Sequence, residues 1–251
     1  MQKTAVVVGG ASGVGNGIAK ALIQRGFRLV VADVNAPADL GCDYINLDAT
    51  QDASVAQFKQ TLLTDHQQID ALAITVGAID EGSIIGASIE RWRWMFETNL
   101  LASVRVVDAL LPNISEGGSL LLTGSGSGLI TPAPETGLGM YAVTKHALTG
   151  YFRALRGEAA TRGVSVSLLV PSGVDGSLAD NSALSRVNAF DDSFAPERGR
   201  QPAGRMLVDA EVVGDDFVRQ WLEGHPLISN DADRLSAAVL DEAQFVVNAL
   251  R

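Results

Sequence analysis

The stretch GGASGVGNGIAKALIQRG, residues 9–26, follows directly on the apolar run TAVVV of residues 4–8. The apolar run reads as a strand and IAKALIQ as a helix, so the glycines between them fall at a strand-to-helix turn. Gly9, Gly13 and Gly15 are spaced G-x-x-x-G-x-G. Glycines so placed permit a tight turn, and they let the backbone approach a pyrophosphate lying against the positive end of the helix dipole. A plain βα turn uses glycine too. It is the position, after the first strand and before a helix, that makes Gly9, Ser12, Gly13, Val14 and Gly15 candidate dinucleotide contacts.

Working outward, the runs RLVVAD, CDYINL, IDALAITV, SLLLTG and VSVSLLV are further strand candidates, and helical patterns separate nearly all of them. Only the short VNAPADLG joins the second strand to the third. Strands this continuously apolar belong to a parallel sheet covered on both faces. The expectation is an α/β, Rossmann-type doubly wound parallel sheet with helices on both faces, forming a single domain over residues 1–251. Residues 176–205 carry Gly, Ser, Asn, Asp and Pro without a stable period, which reads as a long loop or lid. Within it Leu178, Ala183, Leu184, Val187 and Phe190 either line an apolar substrate pocket or pack a lid helix; the sequence favours neither.

Composition narrows the partners. The 251 residues are 47% apolar and 19% charged, with no run of 18 apolar residues, which fits a globular chain without a membrane span. The opening MQKTAVVVGG has no separate hydrophobic region or cleavage site, so a cytoplasmic protein is expected. Cys42 is the only cysteine, which excludes an internal disulfide, and His66, His146 and His225 have no zinc-ligand spacing, so no metal is expected. A formal net charge of -10, with no block of Lys and Arg, argues against nucleic acid and membrane partners. An anionic ligand must then be held by local geometry, which returns attention to the glycine turn.

Asp33 ends the second strand, eighteen residues after Gly15. A carboxylate there accepts hydrogen bonds from ribose hydroxyls and repels a 2′-phosphate, and neither Ser12, Val34 nor Asn35 supplies a compensating arginine. NAD is therefore expected over NADP. Asp48, after the third strand, meets the adenine edge or serves a cap or turn, and spacing alone does not separate the two. In GMYAVTKHAL, residues 139–148, Tyr141 and Lys145 stand four positions apart and share one helix face. Many helices carry such a pair as an apolar anchor and a solvated tail, so the pair gains weight only from its surroundings.

Glycine loop, acidic strand end and YAVTK together resemble the short-chain dehydrogenase/reductase family, with its TGxxxGxG and YxxxK motifs, over about residues 1–175. The resemblance implies hydride transfer between a small-molecule alcohol or ketone and a nicotinamide cofactor. It implies catalytic roles for Asn99 in FETNLLASV, a serine at the strand end LLLTGSGSG, Tyr141 and Lys145. Tyr141 is then the acid/base, with Lys145 lowering its pKa and holding the nicotinamide ribose, and Asn99 fixing a water that links Lys145 to solvent. An epimerase or dehydratase of the same family is the related alternative. A non-catalytic dinucleotide sensor is the alternative from another class, although such a protein would lose the Tyr and Lys.

Departures from the family pattern carry expectations of their own. Val8 replaces the threonine before the first glycine, losing a hydroxyl tie. The family's NNAG reads ITVG, Ile74 to Gly77, which removes the bracing Asn side chains and leaves cofactor contact to backbone at Gly77. The Pro-Gly pair after the sixth strand reads PSG, with Pro171 and Val174 expected at the nicotinamide. The segment between the fifth strand and Tyr141 is longer than the family spacing by three residues. Strand alignment selects Ser125 and counting back from Tyr141 selects Ser127; Ser125 is preferred because strand register is more constrained than loop length. The tail EGHPLISNDADRL replaces the usual ending, so a homodimer through the long helices is expected before a homotetramer.

Overall fold

The computed structural model describes residues 2–38, 40–175, 178–190 and 207–250. In chain order the elements begin β1 (Thr4–Val8), α1 (Gly13–Gln24), β2 (Arg28–Asp33), β3 (Asp43–Asn46), α2 (Asp52–Asp65) and β4 (Ile69–Ile74). They continue through α3 (Ile89–Phe96), α4 (Ala102–Leu110), β5 (Ile114–Thr123), α5 (Gly139–Ala160) and β6 (Ser165–Leu169). Last come β7 (Val174–Asp175), α6 (Leu178–Ala189), β8 (Val208–Asp209), α7 (Ala210–Leu222), β9 (Leu227–Ile228) and α8 (Ala232–Ala249).

Seven strands form one parallel sheet in the order β3-β2-β1-β4-β5-β6-β9. The order reverses between β1 and β4, whose ends are paired at Val8 and Ile74. In doubly wound sheets a ligand binds outside the carboxyl ends of the strands at this switch point. Alternate side chains serve opposite faces. Val6, Val30, Leu72, Leu120 and Leu168 pack with Phe58, Val106 and Phe152 on the side of α2, α4 and α5. Ala5, Val7, Val31, Leu121 and Leu169 pack with Ile18, Leu22, Phe217 and Trp221 on the side of α1 and α7. Both faces are apolar, which is why these strands read as continuous runs rather than alternating ones.

On the second face α1 and α7 meet almost backbone to backbone. A Cβ on Gly17 would lie 2.1 Å from the Ala210 carbonyl oxygen, and one on Gly214 would lie 2.5 Å from the backbone of Gly17. This contact brings the amino end of α1, and with it the glycine turn, under the chain that follows β8.

The six strands expected from the sequence are all present; β7, β8 and β9 are two residues each, too short to show a period. The expected aperiodic lid at 176–205 needs correction, because Leu178–Ala189 is the helix α6. Among its described side chains the buried ones are Ser182 and Arg186. Residues 176, 177 and 191–205 of that expected lid lie outside the described residues, as do the side chains of Leu184 and Val187. Among the described residues no helix is long and apolar enough to cross a membrane.

The α1–α7 contact yields a stability test. Gly214→Ala is expected to lose roughly 1–3 kcal/mol by overpacking against Gly17. Gly150→Ala and Gly157→Ala in α5, where an added Cβ meets nothing within 4 Å, are expected to gain about 0.5–1 kcal/mol each. Urea denaturation measures all three; a Gly214→Ala variant as stable as the parent would show that α1 and α7 are not so tightly apposed.

Candidate active site

The glycine turn is built from contacts that exclude side chains. Gly9 has φ +81 and Gly13 has φ +52, a region that suits glycine. A Cβ on Gly15 would sit 2.1 Å from the Gly9 carbonyl oxygen and 2.4 Å from Thr75 Oγ1. The turn is tied on both sides: Gly9 N–H donates to the Ala32 carbonyl at 2.8 Å, and the Thr75 hydroxyl shares its proton between the Gly9 and Val8 carbonyls at 2.9 and 3.0 Å. Thr75 thus braces the β1 and β4 ends by side chain, at a place where the sequence pattern left only backbone. Ser12 occupies the N-cap of α1, and no side chain among the described residues caps that end. Its hydroxyl instead accepts a hydrogen bond from Asn181 Nδ2 of α6 at 3.0 Å. The first N–H groups of the helix, at Gly13, Val14 and Gly15, have no intrahelical acceptor and could meet an anion.

Asp33 lies beside this turn. One carboxylate oxygen accepts from Ala11 N–H at 3.0 Å and the other from Asn35 N–H at 3.0 Å. Each oxygen keeps a further lone pair for a hydroxyl donor. Asp48 belongs to a local turn: Oδ1 accepts from the Thr50 N–H at 2.9 Å and the Thr50 hydroxyl at 2.6 Å. The close glycine packing, the uncapped helix end and the acidic strand end together fit a dinucleotide, with pyrophosphate at α1 and ribose at Asp33.

The second half of the site is buried. Between α3 and α4 the helix widens into a π-helical stretch, Glu97–Leu101, a feature frequent at functional sites. Asn99, 0% exposed, sits in it. Its Oδ1 accepts from Ala78 N–H at 2.7 Å, while Nδ2 donates to the Ala78 carbonyl at 2.9 Å and to Thr144 Oγ1 at 3.0 Å. Both N–H bonds of the amide are thus spent on protein, while Oδ1 keeps a second lone pair. What the side chain does is clamp the segment after β4 to α5. Gly77 lies between, where a Cβ would be 3.2 Å from Asn99 Oδ1 and 3.3 Å from Lys145 Nζ.

Tyr141 and Lys145 both face inward from α5. Lys145 donates from Nζ to the Thr123 carbonyl at 3.0 Å, and Nζ lies 5.7 Å from the centre of the Tyr141 ring. Burial lowers the Lys145 pKa from its ordinary value to about 8. Burial also pushes the Tyr141 phenol up, and a hydrogen bond with Ser125 pulls it down. The expected depression of the phenol by Lys145 is thus not what the protein groups produce among themselves: desolvation outweighs the rest, and the ammonium is engaged by the Thr123 carbonyl.

Of the competing serines it is Ser125 whose hydroxyl meets Tyr141. Ser127 supports it, donating its backbone N–H to Ser125 Oγ at 3.2 Å. The loop is pressed onto α5, since a Cβ on Gly128 would come within 2.6 Å of the Lys145 carbonyl oxygen.

Above these groups the sequence reading missed several anchors. Ser172 N–H donates to Asn230 Oδ1 at 2.8 Å, Asn230 Nδ2 returns a bond to the Ser172 carbonyl at 2.8 Å, and Ser172 Oγ donates to Asp231 at 3.2 Å. The PSG turn of Pro171 to Gly173 is thus latched by the segment entering α8, and Val174 continues from it into β7. On the other side Ser182 of α6 accepts from Ile79 N–H at 2.9 Å, Ser185 accepts from Trp94 Nε1 at 3.2 Å, and Arg186 pairs with the buried Asp80, which also takes Arg91 at 2.6 Å. Leu178 is 41% exposed, Ala183 is half-buried, and Phe190 meets Trp94 edge to face at 6.0 Å. No local pattern announces these partners, because Asp80 and Arg186 are 106 positions apart.

Known proteins place this geometry. The family model described as short chain dehydrogenase matches residues 3–186. An uncharacterized oxidoreductase of Mycobacterium tuberculosis is 33% identical over 180 residues, covering 69% of this chain and 70% of that protein. A Burkholderia phymatum short chain dehydrogenase/reductase solved in complex with NAD superposes with a TM-score of 0.84 at 21% identity, covering 98% of this chain and 95% of that one. Actinorhodin polyketide ketoreductase, solved with NADPH, gives a TM-score of 0.70 at 21% identity over 91% and 95% of the two chains. The two solved structures share the fold with this chain and carry different nucleotides.

Lys145 supplies a pH signature. Its folded pKa of about 8 lies below the ordinary 10.5, so between those values the unfolded chain holds a proton that the folded chain lacks. Stability contributed at this position rises with pH across that window and is lowest below it. The stability of Lys145→Met relative to the parent is accordingly expected to decline as pH increases from 8 to 10.5. Denaturant titrations of both proteins at several pH values test this, and a constant difference would mean that the ammonium is not desolvated.

Proposed function

The chain belongs to the short-chain dehydrogenase family, and we propose that it is an NAD-dependent oxidoreductase that interconverts a secondary alcohol and a ketone. The observation that carries the reading is the burial of Tyr141 and Lys145 one helical turn apart on α5, with Lys145 Nζ 5.7 Å from the centre of the Tyr141 ring and bonded to the Thr123 carbonyl.

Nicotinamide dinucleotide, when bound, supplies the hydride acceptor or donor. The chain's own residues do the rest. Gly9, Gly13, Val14 and Gly15 hold the pyrophosphate through backbone, and Asp33 receives the adenosine ribose hydroxyls. Gly77, Pro171 and Val174 border the nicotinamide end, held in place by Thr75, Asn99 and Asn230. Ser125 holds the substrate oxygen by hydrogen bond, and Tyr141 gives or takes its proton. Lys145, with one N–H on the Thr123 carbonyl, has two more for the nicotinamide ribose and places a cation beside a phenol that must ionise. Asn99 acts as a positioning residue that keeps α5 and the segment after β4 in register. Tyr141 clusters with Met95, Met140, Ile79, Trp92 and Trp94, which supports a mainly apolar substrate. The reading treats the chain as a single domain, with α6 as the described part of a lid. The lone Cys42 suits a reducing compartment, and the cytoplasm is the proposed location.

NAD over NADP rests on Asp33, whose carboxylate would face a 2′-phosphate without a compensating arginine in the glycine turn. Calorimetry is expected to show tighter NAD binding, and Asp33→Ala to narrow the gap; equal or tighter NADP binding by the parent would remove Asp33 from this role.

The catalytic assignment is tested by screening alcohols and ketones with reduced-nicotinamide absorbance, then by substitution. Ser125→Ala is expected to cost on the order of 10² to 10³ in turnover at saturating NAD, the scale of losing one preorganised donor. Ser127→Ala is expected to cost far less, and Tyr141→Phe to abolish turnover while sparing NAD binding. Normal turnover in Tyr141→Phe would sink the assignment of the phenol, and cofactor binding without turnover on any alcohol or ketone would favour a sensor.

A further inference from the structure

Thr123 closes β5, two residues before Ser125. The residue is half-buried, yet its hydroxyl oxygen is buried and has no hydrogen-bond partner. A hydroxyl withdrawn from water without a partner is costly, so such a group calls for an explanation. Its own carbonyl, by contrast, accepts from Lys145 Nζ at 3.0 Å. Trp221 Nε1 also lacks a partner, but Trp221 is 0% exposed, deep among the apolar side chains between the sheet and α7, where no ligand meets it. Thr123 stands instead at a strand end, on the carboxyl edge of the sheet where doubly wound folds bind ligands.

Register places the hydroxyl. Leu121, two positions earlier, and Leu169, the partner of Thr123 on β6, both pack on the α1 and α7 side. The Thr123 side chain therefore leaves the sheet on that side. Ile74 pairs with Val8 and with Leu122, so Gly9, Thr75 and Thr123 follow at one level on three neighbouring strands. Thr75 engages its hydroxyl on the Gly9 and Val8 carbonyls. Thr123 is thus the next polar side chain along the edge, going from the glycine turn toward the PSG turn. On its far side the Gly124 N–H donates to the Leu169 carbonyl at 2.7 Å, two residues before Pro171.

The residues that border the nicotinamide end offer little else. Gly77, Pro171 and Val174 carry no polar side-chain atom. The Ser172 N–H and carbonyl are engaged by Asn230, and its hydroxyl by Asp231. A carboxamide brings two N–H donors and an acceptor oxygen, and a hydroxyl that both donates and accepts complements it. We propose that Thr123 Oγ1 is a cofactor contact that binds the carboxamide of the nicotinamide. One rotation about χ1 exchanges the places of hydroxyl and methyl, which carries the oxygen toward the accessible side of the residue. Thr123 then serves two neighbours: its carbonyl fixes the Lys145 ammonium, and its hydroxyl fixes the nicotinamide. The inference rests on the proposed reading of the crevice as a nicotinamide dinucleotide site and adds to it a residue that no motif marks.

The test compares the binding of NAD with that of ADP-ribose, which lacks only the nicotinamide, by calorimetry on the full chain. Thr123→Val removes the hydroxyl at nearly constant shape and keeps the main-chain carbonyl for Lys145. It is expected to weaken NAD binding about five- to tenfold and to leave ADP-ribose within about twofold of the parent. Thr123→Ser keeps a hydroxyl and is expected to hold the parent's ratio of the two affinities within about twofold. Stability supplies a readout independent of any ligand. Without cofactor, Thr123→Val is expected to unfold at a urea concentration no lower than the parent does, because it deletes a polar group that had no partner. Equal losses for both ligands, an unchanged ratio in Thr123→Val, a Thr123→Ser that behaves as Thr123→Val, or a lowered urea midpoint in Thr123→Val would each overturn the assignment of Thr123 and leave the cofactor reading standing. A parent that binds neither NAD nor ADP-ribose would overturn both.

Discussion

Everything at the carboxyl edge of this sheet depends on the absence of a Cβ where β1 turns into α1. Gly15 lies so close to the Gly9 carbonyl and to Thr75 that any side chain would push the helix away from the strand ends. With that contact in place, the amino end of α1 points at the crevice where strand order reverses. The uncapped N–H groups of the helix and the carboxylate of Asp33 then fall on one side of the crevice, and α5 falls on the other. A glycine turn of the same sequence elsewhere in the fold would bring none of these groups together.

The opposite wall is governed by desolvation. Burying Lys145 costs free energy that its single bond to the Thr123 carbonyl only partly offsets, which is why its pKa falls. Such a group is retained in a core only if the surroundings fix it, and they do: Asn99 binds both Ala78 and Thr144, and Gly77 leaves just enough room for the ammonium. The same burial raises the Tyr141 phenol. Two groups whose charged forms are both disfavoured, on one helix face, favour each other's ionisation when a proton has somewhere to go. This is the electrostatic condition for an acid/base pair, and it also explains why the phenol is not ionised by the protein groups alone.

Local signals were legible in the sequence; the partners that hold them were not. The glycine turn and the Tyr–Lys pair are each contained within a few residues and Asp33 closes a strand, so period and spacing reveal them, and the continuous apolar strands reveal the sheet. Strand register pointed to Ser125, and it is Ser125 whose hydroxyl pulls the Tyr141 pKa down. Asp48 reads equally well as a ligand contact or a turn, and its bonds to Thr50 belong to the turn. Thr75, Asp80, Asn230 and Asp231 were missed because each acts on a segment far away in the chain, and an isolated Thr or Asp has no periodic signature. The helix α6 was open in the sequence as one of two alternatives, and among its described side chains Ser182, Ser185 and Arg186 tie it to Ile79, Trp94 and Asp80.

That polar docking has a consequence for motion. Breaking the hydroxyl contacts of α6 exchanges them for hydrogen bonds to water at modest net cost each. Its bonds also reach both halves of the site: Asn181 touches Ser12 at the pyrophosphate turn, and Ser182 touches Ile79 beside the clamp of Asn99. Displacing the helix therefore loosens the cofactor side and the catalytic side together. The PSG turn is held differently, by Asn230 and Asp231 at the start of α8, whose first half lies against the loop carrying Ser125. The two roofs of the crevice thus answer to different parts of the chain. One is a helix free to exchange its polar contacts, and the other is a turn bound to a helix whose far end offers an apolar surface.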